Sequence, residues 1–260
     1  MRIVTWNINS IRLRIDLLKK LCLQHNPDVI CLQETKTEDK YFPIEAINDL
    51  GFKYVVYSGQ KSYNGVAILS KFKISQNFAL NLYNDDKRHI CAYINNFEIH
   101  NFYVPAGGDE PDTAINPKYK HKLAYVQLMQ DWFSKNRQKE KHVILVGDLN
   151  IAPHEHDVWS SHQLRNVISH TPLERKALLS LQASFDFVDT SRHFTNFEQK
   201  LYTWWSYRNK DWKKSNRGRR LDHIWVSQSL KAMLKQNTYQ LEARDWTRPS
   251  DHIPYIIDIA

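Results

Sequence analysis

Three short, apolar, β-rich runs in this chain end alike, in residues able to do acid, base or amide chemistry. Arg2–Trp6 runs into Asn7, Val29–Leu32 into Gln33-Glu34, and Val143–Val146 into Gly147-Asp148-Leu149-Asn150. Short apolar runs of this kind mark strands, and Val29–Leu32, apolar throughout, reads as a buried one. Helical periodicity follows the first run: Ile11, Ile15, Leu18, Leu21 and Cys22 recur until Asn26-Pro27 stops the pattern. A second amphipathic stretch, Pro117 to Asn136, has Leu123, Val126, Leu128 and Trp132 as its expected apolar stripe. Thr171-Pro172-Leu173-Glu174 reads as a capping box with proline at the first helical position, predicting a helix to about Gln182.

Between these α/β pieces, Tyr54–Tyr57, Val66–Leu69, His89–Ile94 and Ile99–Val104 read as antiparallel strands. The last third adds Tyr202–Ser206, Leu221–Val226 and Tyr255–Ile259, with a basic loop and a short helical stretch near Leu230 between them. No linker or low-complexity segment divides the chain, so a single α/β domain over residues 1–260 is expected. Its two halves each begin with a strand, an Asn-bearing loop and a helix, which points to a doubled α/β layer. Only three cysteines, each beside apolar residues, argue for reduced thiols in the cytoplasm. No window approaches the roughly 18 apolar residues of a membrane span, so no membrane partner is expected. The balance of 36 Lys+Arg against 28 Asp+Glu leaves a formal charge of +8, which favours a polyanionic partner.

Polar residues with chemical potential sit repeatedly at the ends of expected strands: Asn7, Glu34, Asp148, Asn150, Asp222, Asp251 and His252. Any one such carboxylate, taken alone, reads better as a cap or turn residue. As a set they suit a hard divalent cation, because Mg²⁺ takes one or two carboxylates with amide oxygens and waters, a demand that Glu34, Asp251 and Asn7 meet. His154-Glu155-His156 offers a weaker zinc alternative and reads as a polar loop. Arg208 to Arg220 holds seven basic residues against the single acid Asp211, flanked by Trp204 and Trp205. Alone it is a solvated loop; with the tryptophans it becomes a phosphate grip beside an aromatic surface.

Six ordered blocks then become specific: Trp6-Asn7-Ile8-Asn9, Gln33-Glu34-Thr35-Lys36, Asn64-Gly65-Val66-Ala67-Ile68-Leu69-Ser70, Gly147-Asp148-Leu149-Asn150-Ile151-Ala152-Pro153, Arg220-Leu221-Asp222-His223-Ile224 and Ser250-Asp251-His252. They resemble the signature blocks of the exonuclease III family of abasic-site endonucleases, within the endonuclease/exonuclease/phosphatase superfamily. The resemblance implies a four-layered α/β sandwich of two packed mixed β-sheets flanked by helices. It implies Mg²⁺-dependent hydrolysis, with Mn²⁺ as a substitute, acting on double-stranded DNA with abasic sites or blocked 3′ ends. The reactions would be incision 5′ to abasic sites, removal of 3′ blocking groups and 3′-to-5′ exonuclease action; nothing in the sequence demands more than a monomer.

Residue by residue, the resemblance makes Glu34 the main metal ligand, with Asn7 and Asp251 in support and Asp148 and Asn150 close to the ion. Asp148 matches the residue that activates or orients water, and Asn150 the one that holds the scissile phosphate. His252, paired with Asp222, matches a histidine on a phosphate oxygen, and Tyr103 a tyrosine at the phosphate or leaving group. Trp204, with Trp205 and Leu221 as second choices, corresponds to the wall of a pocket for a base-free sugar. Adjacent strand residues face opposite sides, so one tryptophan should be core. Arg88, Arg208, Lys213, Lys214, Arg217 and Arg219 are the expected DNA contacts. Two departures stand out: Ser206, where relatives often carry Asp, and Arg219, where they carry a bulky apolar residue.

A shared catalytic core leaves open phosphoesterases acting on inositol lipids, sphingomyelin or RNA tails, and the basic loop with its tryptophans favours DNA over these. A binding module without catalysis is disfavoured, since every position above retains a competent residue. If the loop grips phosphates, log Kd for duplex DNA depends on log salt with a slope of about 0.9 per neutralised phosphate. Replacing Lys213, Lys214 and Arg217 together by Ala should flatten that slope in binding titrations, and an unchanged slope removes the loop from the interface.

Overall fold

A computed structural model of the chain describes residues 1–209 and 211–260; Lys210, counted above in the basic stretch, lies outside the described residues. Its strands are β1 Arg2–Asn7, β2 Val29–Gln33, β3 Tyr54–Ser58, β4 Val66–Ser70, β5 Ile74–Phe78, β6 His89–Ile94, β7 Phe97–Tyr103, β8 Val143–Asp148, β9 Val188–Asp189, β10 Asp222–Val226, β11 Leu234–Tyr239 and β12 Tyr255–Ile259. They form two six-stranded mixed sheets, ordered β11-β12-β1-β2-β4-β3 and β5-β6-β7-β8-β10-β9. The helices are α1 Ile15–His25, α2 Ile44–Asp49, α3 Pro117–Asn136, α4 Ser161–Leu164, α5 Pro172–Ser184, α6 Thr190–Phe194 and α7 Trp212–Ser215.

Strand alternation builds three cores and therefore four layers. Ile3, Val29, Cys31, Ile144 and Val146 point between the sheets. Their neighbours Val4, Ile30 and Leu32 face outward onto α1 and α2 through Leu18, Leu21 and Ile47. On the other side Val143 and Leu145 meet α3 and α5 through Val126, Met129, Phe133, Leu178 and Leu181. Each sheet also contains a parallel pair joined through a helix, β1–α1–β2 and β7–α3–β8, so the doubling lies in the topology. No helix among the described residues is long and apolar enough to cross a membrane.

Local expectations fail at identifiable points. Helix α1 starts at Ile15 rather than Ile11, because the amides of Ser10 and Ile11 bond to the carbonyls of Glu34 and Thr35 at 2.8 and 3.1 Å. Of the expected α3 stripe only Val126 is buried. The buried face is Tyr119, Lys122, Tyr125, Val126, Met129 and Phe133. Two polar bonds turn the helix this way: Lys122 Nζ pairs with Glu174 at 2.5 Å, and the Tyr119 hydroxyl meets Thr171 Oγ1 at 2.6 Å. Tyr202–Ser206 is not a strand; Trp204 makes only isolated bridges to Arg219 and His252. The short helical stretch is a 3₁₀ turn over Gln228–Met233, and the strand after it, β11, carries too few apolar residues to stand out in the sequence. The Thr171–Glu174 capping box forms as expected, and α5 runs to Ser184.

Arg220, counted above with the basic loop, is fully buried. Its Nε and Nη2 donate to Asp157 at 2.8 and 2.9 Å, and its Nη1 lies 2.8 Å from Asp189. Burial pushes the Asp157 carboxyl up, but Arg220 and then Arg192 outweigh it and hold the group well below the usual carboxylate range. A depressed carboxyl contributes stability above its unfolded pKa of about 3.9 and loses it as pH falls toward the lower folded value. Asp157→Ala should therefore cost about 3–5 kcal/mol in urea unfolding at pH 7. The wild-type advantage should shrink when the comparison is repeated below pH 4, and a constant difference would contradict this account.

Candidate active site

The ends of six strands meet at one edge of the sandwich. β1, β2, β7 and β8 finish there with Asn7, Gln33, Tyr103 and Asp148, while the antiparallel partners β10 and β12 begin there, with Asp222 opposite Asp148 and Tyr255 opposite Thr5. A cleft of about 290 Å³ opens at this edge, lined by Asn7, Glu34, Tyr103, Asp148, Asn150, Asp251 and His252, with Trp204, Arg219 and Leu221 in its wall. Gly147 lets β8 approach β7 at the edge, since a Cβ on it would collide with the Phe102 carbonyl. Glu34 and Asn150 turn off their strands in the left-handed region, with φ of 56° and 53°. Such backbone is strained for residues other than glycine and persists where the surroundings impose it.

Asp148 is the hub of the cleft. Its Oδ2 accepts from Asn7 Nδ2 at 2.9 Å and Asn150 Nδ2 at 3.1 Å, and its Oδ1 accepts from the Asn150 amide at 2.9 Å. His252 Nε2 lies 3.7 Å from the same Oδ2, while His252 Nδ1 is bound to Asp222 Oδ2 at 2.8 Å. Burial opposes the imidazolium, but Asp222 and Asp148 outweigh it and hold His252 well above its ordinary pKa. Burial also pushes the Asp148 carboxyl up, opposed by the charge of His252 and reinforced by that of Asp222. Tyr103 is raised by burial first and then by the charges of Glu34 and Asp148, so its phenol stays a hydrogen-bond donor.

The remaining carboxylates are held by neutral or single-charge partners. Asp251 accepts from Asn9 Nδ2 at 3.0 Å and Trp204 Nε1 at 2.9 Å. Burial would raise its carboxyl, but His252 and these hydrogen bonds keep it low. Glu34 pairs with Lys36 at 2.9 Å. Behind the lining, Lys122 Nζ donates to the carbonyls of Asn150 at 2.7 Å and Ala106 at 3.1 Å. Asn9, Lys36, Lys122 and Ser250, whose Oγ donates to the Asn7 carbonyl at 2.7 Å, are site residues that sequence reasoning missed. The signal for Asn9, Lys36 and Ser250 was their place inside the Asn7, Glu34 and Asp251 blocks; Lys122 gave none.

The expected DNA-contacting residues divide. Trp204 and Leu221 line the cleft, whereas Trp205 is 2% exposed in a core with Tyr202 and Trp212, its Nε1 on Asn216. Arg88 lies behind the cleft, its guanidinium 4.9 Å from the Tyr103 ring centroid and its Nε on Asp86 at 2.9 Å. Arg208, Lys213, Lys214 and Arg217 are exposed and outside the cleft lining. Lys213 pairs with Asp245 at 2.7 Å, and Arg217 stacks over Trp159. In the zinc alternative, His154 meets Phe197 edge-on and His156 pairs with Glu155 at 3.2 Å, in a 3₁₀ turn that ends at Asp157.

The donor set of Asn7, Glu34, Asp251, Asp148 and Asn150 is all oxygen-bearing and rich in carboxylate, which fits a hard divalent cation. Asp148, Asp222 and His252 also bring ligand atoms within 4.8 Å of one another, with His252 Nδ1 already engaged by Asp222 Oδ2.

Residues 4–252 match the model of the Endonuclease/Exonuclease/phosphatase family. The chain is 31% identical to exodeoxyribonuclease III of Haemophilus influenzae over 267 aligned positions, covering 98% of each protein. Among solved structures it is similar to an AP endonuclease from Archaeoglobus fulgidus, with a TM-score of 0.93, 30% identity and coverage of 100% and 99% of the two chains. It is also similar to the 3′-phosphatase NExo from Neisseria bound to a product DNA hairpin, with a TM-score of 0.91, 31% identity and the same coverage. Titration calorimetry with Mn²⁺ should show Glu34→Gln weakening binding by about 10-fold or more, while Arg208→Gln binds as wild type. Equal affinities for the two variants would exclude Glu34 as a ligand.

Proposed function

We propose that this chain, which belongs to the Endonuclease/Exonuclease/phosphatase family, is a divalent-metal-dependent DNA repair hydrolase of the exodeoxyribonuclease III type. Its substrates are duplexes with abasic sites, cut on the 5′ side, and duplexes with blocked or free 3′ ends, trimmed in the 3′-to-5′ direction. The expectations of a single unit over residues 1–260, working as a cytoplasmic monomer, belong to the same proposal. The observation that carries it is Asp148, fixed by Asn7 and Asn150 beside the His252–Asp222 pair in a carboxylate-lined cleft. The names of the relatives supply DNA as the phosphoester.

A phosphodiester is an anion that repels hydroxide, so catalysis must remove a proton from water and neutralise the phosphate oxygens. Asp148 takes the water proton; burial brings its proton affinity nearer to neutral pH, which suits a general base worth roughly 10²–10⁴ in rate. His252, kept as imidazolium by Asp222, donates from Nε2 to a phosphate oxygen. Asn150, whose Nδ2 donates to Asp148 Oδ2 and to the Val104 carbonyl at 2.9 Å, holds the base in place at the phosphate without adding negative charge, and the Tyr103 phenol supplies a donor. Glu34, Asn7 and Asp251 would hold Mg²⁺, with Mn²⁺ as a substitute, and the bound ion supplies positive charge against the phosphate oxygens. Trp204 and Leu221 give an apolar wall against which a base-free sugar can pack, since such a sugar leaves the duplex without unstacking a base.

The decisive assay is cleavage of a labelled duplex with one abasic-site analogue, in Mg²⁺ and in EDTA. Wild type should cut 5′ to the lesion only with Mg²⁺, Asp148→Asn should not cut, and Asn150→Ala should lose about 10²–10³ in kcat. Intact DNA in every lane would move the substrate to another phosphoester, and an Asn150→Ala rate within threefold of wild type would remove that residue's role.

A further inference from the structure

Arg219 is the cationic side chain of the cleft wall for which a neutral sugar has no use. Its guanidinium carbon lies 5.2 Å from the Trp204 ring centroid, and Nη1 is fixed by the Ile168 carbonyl at 2.9 Å and Ser169 Oγ at 2.7 Å. Both anchors are neutral. Among the described residues the side-chain hydrogen bonds of Arg219 run from Nη1 alone, and its Nε is buried without an acceptor. Arg220, next in the chain, is by contrast saturated by Asp157 and Asp189. A guanidinium in a half-buried wall loses hydration and gains nothing from a sugar ring, whereas a phosphate offers paired oxygens that match its fork.

We propose that Arg219 makes this cleft select a terminal 3′-phosphate monoester over an abasic sugar. The inference rests on the nuclease reading and deepens it. Both reactions free a 3′-hydroxyl: the water oxygen bonds to phosphorus, its proton passes to Asp148, and the P–O3′ bond breaks. The electron pair leaves with the 3′-oxygen, which takes a proton from solvent. The substrates differ at one oxygen. At an abasic site that oxygen is esterified to the sugar, whereas on a terminal 3′-phosphate it is anionic, and the group carries a charge of about −1.5 to −2. That anionic oxygen takes the place of the ester oxygen leading to the sugar, on the side walled by Trp204, Leu221 and Arg219, where the unused guanidinium donors meet it.

The test measures kcat/KM in Mg²⁺ on two duplexes, one nicked with a 3′-phosphate and one carrying a tetrahydrofuran abasic analogue, for wild type, Arg219→Leu and Arg219→Lys. The ratio of the two values is independent of how much of each variant is folded. It should fall by about 10–100-fold in Arg219→Leu and by less in Arg219→Lys, which keeps the charge and loses the fork. A ratio in Arg219→Leu within threefold of wild type overturns the proposal. Inorganic phosphate should also raise the thermal midpoint of wild type more than that of Arg219→Leu, and equal shifts overturn it too. Should wild type cut neither duplex, the nuclease reading falls, and the phosphate comparison still decides the role of Arg219.

Discussion

Burial of both faces of the central strands is the constraint from which the rest of this molecule follows. Ile3 and Val4, Val29 and Ile30, and Ile144 and Leu145 each commit one side chain to the space between the sheets and the next to a helix layer. Nothing along these strands is left to touch a substrate, so chemistry is confined to where they run out. Two parallel pairs with helical crossovers bring four such ends to one edge, and β10 and β12 start at the same edge because they run antiparallel. Asp148 and its partners therefore stand on rigid elements, which is what precise catalytic geometry requires.

Gathering carboxylates at that edge is costly, and the surrounding residues are chosen against the cost. Asn7, Asn9, Asn150 and the Trp204 indole donate without adding charge, and His252 and Lys36 supply the cations. Lys122 works from behind, tying the backbones of Ala106 and Asn150 to Glu174. The Asp157–Arg220–Asp189 network lies on the same connection but is buried and charge-paired within itself, which marks it as scaffold.

Much of this was legible before any coordinates. Apolar runs located the central strands, the Thr171 capping box located α5, and polar residues at strand ends located Asn7, Glu34, Asp148, Asn150, Asp222, Asp251 and His252, which the fold collects at one cleft or directly behind it. The failures share a cause: long-range bonds overruled local pattern. Ser10 and Ile11 bond to β2's exit instead of starting a helix, and Lys122 turns inward to meet Glu174. Residues 202–206 cross the end of the sheets with the Thr203 and Trp204 amides both on the Arg219 carbonyl, which leaves no partner strand to pair with.

Sequence alone determined the α/β alternation and which polar residues stand at strand ends, because apolar runs and strand-terminal polar residues are local properties of the chain. What only the tertiary structure decided is the choice within identical neighbours. Trp204 faces the cleft and Trp205 the core; Arg219 faces the cleft and Arg220 a buried ion network. Extended backbone sends adjacent side chains to opposite sides. When both side chains are the same, no pattern of hydrophobicity or charge can say which side is which, and the answer comes from Asp251, Asp157 and Asp189, which lie far away in the chain or beyond its local turns.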